Sequence, residues 1–151
     1  MANSNLQNVV PSISSGTAGP LGVIHLPRLW KKLTLAAAGV LPSDYDECGA
    51  GFDQMTLNAL GLDKQKVSDY VRSQKPTYMQ FEEWVVAQNG GKLDSAAIAK
   101  HNDAVRGYHH SDELAAKMRT ASGVKDANIK DAVTLNMIED LDEIHRQVTK
   151  S

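Results

Sequence analysis

Apolar residues recur at helical spacing along most of the chain, and the polar residues between them carry start and stop signals. From Leu21 onward one helix-like segment follows another. Pro27 suits the first turn of a helix, where a missing N–H costs nothing. The run RLWKKLTLAAA follows it, and Gly39 and Pro42 end that run. Asp53 stands where it would cap a short helix, QMTLNAL, closed by Gly61. Asp63 opens the next helix, through Gln74, and Lys75-Pro76 breaks it. Thr77, with Gln80 three residues later, forms a capping box for the helix that holds Phe81, Trp84 and Val85 and stops at Gly90-Gly91. Asp94 opens a helix to Arg106, and Ser111, followed by Asp112 and Glu113, opens one that Gly123 closes. The last helix runs from about Ile129 to Val148. Its stripe of Val133, Met137, Leu141, Ile144 and Val148 advances by 4, 4, 3 and 4 residues, which is one helix face.

No segment shows the sustained alternation of a half-buried strand. LGVIHL, from Leu21 to Leu26, is the one short candidate, and a single strand has nothing to pair with. The pattern predicts an all-α fold, a compact orthogonal bundle of six or seven short helices forming one domain over residues 21–151. Residues 1–20, rich in Ser, Asn and Gly with Pro11 and Pro20, read as a flexible or draped tail.

Composition narrows the function classes. A chain of 151 residues suits one hydrophobic core, and 42% apolar residues with 23% charged exclude disorder of the whole. Sixteen basic against eighteen acidic residues leave a net charge of -2, which gives no general attraction to nucleic acid or an anionic membrane. The lone Cys48 excludes an intramolecular disulfide. The first residues lack a basic start and a long apolar run, and Leu33–Leu41 is too short to span a bilayer, so the cytoplasm is the expected location. Dinucleotide, P-loop, nucleophile-elbow, EF-hand and zinc spacings are all missing, so neither a cofactor nor a metal is expected.

Three groups of residues could still carry chemistry. Arg28 and Lys32 lie four residues apart, on one face near a helix N-terminus, where backbone N–H groups also favour an anion. They could hold a carboxylate or phosphate, or simply be solvated or paired with an acid such as Asp44 or Asp53. The loop from Asp44 to Asp53 brings together Tyr45, Cys48 and several acids. Cys48 there is either a nucleophile with a lowered pKa or a small buried hydrophobe, and Asp53 is either reactive or only a cap. The third group is histidine: His25, His101, His109 and His110. Adjacent histidines diverge on a helix, so His109 and His110 would not face one metal. Trp30 and Trp84 read as core anchors.

The order of LGVIHLPRLWKK, YDECGAGFDQMTLNALGL and FEEWV resembles a family of small bacterial domains of unknown function. That family has an LPR segment with a lysine four residues after the arginine, a tyrosine- and cysteine-containing loop with an acid–glutamine pair, a Leu-Gly turn and a Trp-Val helix end. Arg28, Lys32, Tyr45, Cys48, Asp53, Gln54 and Trp84 stand at the matching positions, and the likeness runs from about residue 21 to 86. The CGAGFDQ loop is longer than the family pattern. The resemblance implies a helical bacterial protein and brings no activity with it.

Two functions remain open. One is action on, or binding of, an anionic small molecule between the first helix and the 44–53 loop. Arg28, Lys32, His25 and Trp84 would contact the ligand, and Tyr45, Cys48, Asp53 or His109 would supply acid–base or nucleophilic chemistry. The other is a non-catalytic module, a ligand sensor or a helical homodimer joined through the stripe on the last helix. Whether the protein is an enzyme is left open by the sequence.

Overall fold

The computed structural model describes residues 6–150. Among these it contains seven helices: α1 (Leu26–Ala37), α2 (Phe52–Ala59), α3 (Lys64–Gln74), α4 (Tyr78–Gln88), α5 (Ser95–Arg106), α6 (Asp112–Ser122) and α7 (Ala132–Thr149). No strand occurs among the described residues. The LGVIHL segment is reduced to one isolated bridge between Ala18 and Ile24, and a second bridge joins His109 to Asp131. The fold is all-α, and no helix is long and apolar enough to cross a membrane.

Most helix starts follow from local capping. The Asp63 carboxylate accepts from the Lys66 N–H, Thr77 and Gln80 form the reciprocal box, Asp94 accepts from Ala96 and Ala97, and Ser111 accepts from Leu114. Each such cap stabilises its helix by about 1 kcal/mol. Asp53 is the exception. α2 begins at Phe52 with Gly51 as its N-cap, and the Asp53 side chain turns away from the helix's own N–H groups.

α1 is the central helix, packed against α2, α3 and α4. Leu26, Leu29 and Leu33 lie at i, i+3 and i+7 and enter a core with Val23, Leu57, Leu60, Val67, Val71, Phe81 and Val85. α2 also packs on α5, and α6 on α7. Residues 6–20 carry no helix but lie against the domain instead of forming a free tail. Val10, Pro11 and Ser15 are buried, because Arg28 of α1 binds the carbonyls of Pro11 and Ile13. Residues 1–5 of the expected tail lie outside the described residues.

α7 presents a different face from the one its apolar stripe suggests. It buries Ala132, Leu135 and Asp140, while Leu141 is 55% and Val148 76% exposed. A buried aspartate therefore decides how this helix sits. Phe81, completely enclosed, and Val148 give opposite expectations in urea unfolding. Phe81→Ala should lower stability by about 3 kcal/mol or more, whereas Val148→Ala should stay within about 0.5 kcal/mol of the parent.

Candidate functional site

His25, the N-cap of α1, and Arg28 and Lys32 within it stand at i, i+3 and i+7, one position before each of the three core leucines. The same helix therefore carries an apolar stripe and, beside it, a buried stripe of nitrogen bases. Charges taken out of water need partners. Two carboxylates supply them, each from an element distant in sequence.

Asp53, at the start of α2, is the first. Its Oδ1 lies 2.6 Å from His25 Nε2, and its Oδ2 accepts from Lys32 Nζ at 2.5 Å and from the Gly49 N–H at 2.7 Å. Asp140 on α7 is the second. It takes both Arg28 guanidinium nitrogens, at 2.5 and 3.2 Å, and the Tyr45 hydroxyl at 2.9 Å. Arg28 thus pairs with α7, not with the 44–53 loop, while Lys32 does face that loop and ties it down.

Burial alone would raise the Asp53 carboxyl, but the hydrogen bond from His25 and the charge of Lys32 outweigh it and hold the group at about 2. Asp53 is therefore ionised and can only accept. His25 is pushed below the ordinary imidazole range by burial, against the opposing pull of Asp53, and stays neutral near pH 7. Its single proton must then sit on Nε2, facing Asp53. Nδ1 is left with a bare lone pair, and that buried atom has no hydrogen-bond partner.

The His25 backbone is also unusual. It adopts φ 76°, in the left-handed region that a non-glycine residue enters at a cost. Its neighbours hold it there. His25 N–H donates to the Thr17 carbonyl, Ile24 N–H to Asn102 Oδ1, His101 Nε2 lies 2.8 Å from the Ile24 carbonyl, and Asn102 donates to the Gly22 carbonyl. α5 and the N-terminal segment together over-determine the turn that aims this imidazole.

A cavity of about 480 Å³ opens between α1, the 44–53 loop and α7. His25, Arg28, Lys32, Tyr45 and Asp53 all line it, as do Asn136 and Asp140 of α7. Its wall carries the carboxylates of Asp44, Asp46, Asp53, Glu139, Asp140, Asp142 and Glu143 against the cations of Arg28, Lys32 and Arg146. Partial desolvation and the charge of Asp140 push the Glu139 carboxyl up. Tyr45 is raised by burial and by its bond to Asp140, so it remains a neutral phenol.

Other expected site residues lie elsewhere. Cys48 is buried in the hydrophobic core and does not line this cavity, and burial, then the Asp53 charge, push its thiol up, away from a nucleophilic thiolate. Trp84 stacks on Tyr70 at 4.3 Å, in the α3–α4 part of the core. His109 is exposed beside Asp131 and does not touch the cavity. No group of three or more His, Cys, Asp or Glu among the described residues is arranged to hold a metal ion. Sequence reasoning missed Asp140. Its signal was faint, a single acid in an acidic helix, recognisable only as the one that interrupts the buried side.

Residues 14–145 match the family model described as Domain of unknown function (DUF5069), and the chain belongs to that family. No curated protein and no solved structure matches it.

Asp53 makes acid stability a direct readout of the site. Its carboxyl titrates lower in the folded than in the unfolded chain, so its contribution is complete above about pH 4 and is lost as pH falls through about 2. That loss should amount to roughly 2 kcal/mol. Asp53→Asn should remove this acid limb from a pH series of urea melts. It should also cost about 3 kcal/mol or more at pH 7, because Lys32 is left buried without its counter-ion.

Proposed function

We propose that this chain binds a small polar molecule in the cavity between α1, the 44–53 loop and α7, and that His25, oriented by Asp53, accepts a proton or hydrogen bond from it. The observation that carries this reading is His25 itself. It is buried, held in a left-handed conformation, locked through Nε2 to an ionised carboxylate, and has an unpartnered Nδ1 in a residue of the cavity wall. A neutral imidazole backed by a carboxylate is a competent general base, because the carboxylate stabilises the imidazolium formed when Nδ1 takes a proton. A structural role needs only the Nε2 bond and leaves the bare Nδ1 unexplained.

Arg28 and Lys32 act as framework in this reading. Their charges are already answered by Asp140 and Asp53. Tyr45 braces Asp140 from the loop side and adds a polar oxygen to the wall.

Nitrogen-15 NMR of histidine-labelled protein tests the proposal. In the free chain at pH 7, His25 Nδ1 should resonate as an unprotonated, unbonded nitrogen. It should move when a compound from a panel of amines, amino acids, carboxylates and phosphate esters binds. His25→Asn, which tolerates the left-handed backbone, should keep the fold and lose that binding. A compound bound in the cavity equally well by His25→Asn, with Nδ1 unmoved in the parent, overturns it.

A further inference from the structure

We propose that the molecule held in this cavity is a sugar or polyol, bound through its uncharged hydroxyl oxygens. The proposal rests on the pocket reading above and adds the ligand's chemical class. It follows from which hydrogen-bonding groups of the wall are already engaged and which are spare.

The buried acceptors are engaged. Asp53 Oδ1 is bonded to His25 Nε2, and its Oδ2 accepts from Lys32 and the Gly49 N–H. Asp140 Oδ2 accepts from Arg28, and its Oδ1 from Arg28 and the Tyr45 hydroxyl. What the wall keeps in reserve is donors. The Lys32 ammonium has three N–H groups and makes one bond, to Asp53, among the described residues. Lys32 is 8% exposed and lines the cavity, which leaves the cavity as the place where its other two can be met. Ser15 is 3% exposed and lines the same cavity. Its hydroxyl has no partner among the described residues, and it is not sealed away as His25 Nδ1 and Thr34 Oγ1 are, so the surface it keeps opens on the cavity. Asn136 completes the set. Its Oδ1 is engaged by His110 Nε2, and its amide N–H groups have no partner among the described residues.

These donors come from three elements, the N-terminal segment, α1 and α7, and so stand around the cavity instead of converging on one point. A lone carbonyl meets one of them. A ring or chain of hydroxyls offers an acceptor oxygen to each, and a proton in return to Ser15 Oγ. An apolar molecule would displace water from Lys32 and Ser15 and replace none of its hydrogen bonds. An oxyanion would suit the same donors, but charge opposes it. Inside, Arg28 and Lys32 are balanced by Asp140 and Asp53. At the mouth, Asp44, Asp46 and Glu139 are exposed, and Arg146 is already bound to Glu143. An entering anion therefore meets net negative charge, whereas a hydroxyl carries none to be repelled. The volume of about 480 Å³ lies within the usual range for small-molecule pockets.

Probes that differ in hydroxyl number and in charge decide the matter. Glucose, galactose, mannose, ribose and myo-inositol are titrated into the full chain beside cyclohexanol and glucuronate, and followed by nitrogen-15 NMR. At least one of the five should bind, with shifts at the Ser15, Gly49 and Asn136 amides and at the Lys32 ammonium. Cyclohexanol, with one hydroxyl, and glucuronate, with an added negative charge, should each bind about tenfold or more weaker than the tightest of them. Ser15→Ala removes one oxygen outside the helices, and Asn136→Ala a half-buried amide, so both should fold normally. Each should weaken the tightest binder by about fivefold or more. The hydroxyl inference is overturned if none of the five shifts a cavity residue, if cyclohexanol or glucuronate binds there as tightly, or if both variants bind undiminished. If a charged compound of the histidine experiment moves His25 Nδ1 while no sugar or polyol binds, the hydroxyl inference falls and the pocket reading stands.

Discussion

The Asp53 carboxylate is the point on which the arrangement of the first half depends. It is buried, it is ionised, and it joins His25 at the head of α1 and Lys32 within it to the Gly49 backbone of the loop and to the first turn of α2. Lys32 cannot be buried as a charge without it, and the loop has no comparable reason to fold back without Lys32. Asp140 does the same for the second half. Arg28 reaches it from α1, Tyr45 from the loop, and the same guanidinium also holds the N-terminal segment through Pro11 and Ile13. One face of one helix thus fixes the loop, α2, α7 and the segment before α1.

These interactions also explain where the strain sits. A left-handed histidine at the head of α1 is unfavourable by itself, and it persists because bonds from Thr17, His101 and Asn102 fix the residues around it. His101 and Asn102 belong to α5, which reaches the site only by clamping residues 22–24. They position His25 and do not line the cavity.

How much of this was legible in the sequence follows from the range of each interaction. Caps are local, so Asp63, Thr77 with Gln80, Asp94 and Ser111 could be read directly and stand as expected. The 25/28/32 face was half legible, since the four-residue spacing showed Arg28 and Lys32 together. Asp53 stayed open between a cap, a reactive group and a partner for Arg28 or Lys32, because an aspartate before QMTLNAL satisfies the local pattern of a cap as well. Only the three-dimensional arrival of His25 and Lys32 draws its side chain elsewhere. Asp140 was missed for the converse reason, since its partner lies 112 residues away and nothing nearby marks it. The stripe on α7 had the right period, but periodicity reports a face and not what covers it. Trp84 shows the same limit, because a tryptophan at a helix end reads alike whether it meets a ligand or, as here, Tyr70.

A purely structural account of the ion network has a difficulty in energy. Buried ion pairs are commonly no more stabilising than apolar residues of the same shape, and losing one partner is expensive. A domain needing only to be folded has little reason to place two such networks side by side along one helix. It has less reason to leave a cavity between them instead of closing it with leucine. Charged groups facing a cavity do something that apolar groups cannot: they hold a polar environment fixed before any ligand arrives, so that no reorganisation is required on binding. Here the wall of that environment contains a neutral imidazole with one nitrogen tethered and the other enclosed without a partner. The tether is what makes the other nitrogen's direction and protonation definite. Asp53 can thus hold the loop in place and orient the base with the same two oxygens, which ties the stability of this fold to the readiness of its site.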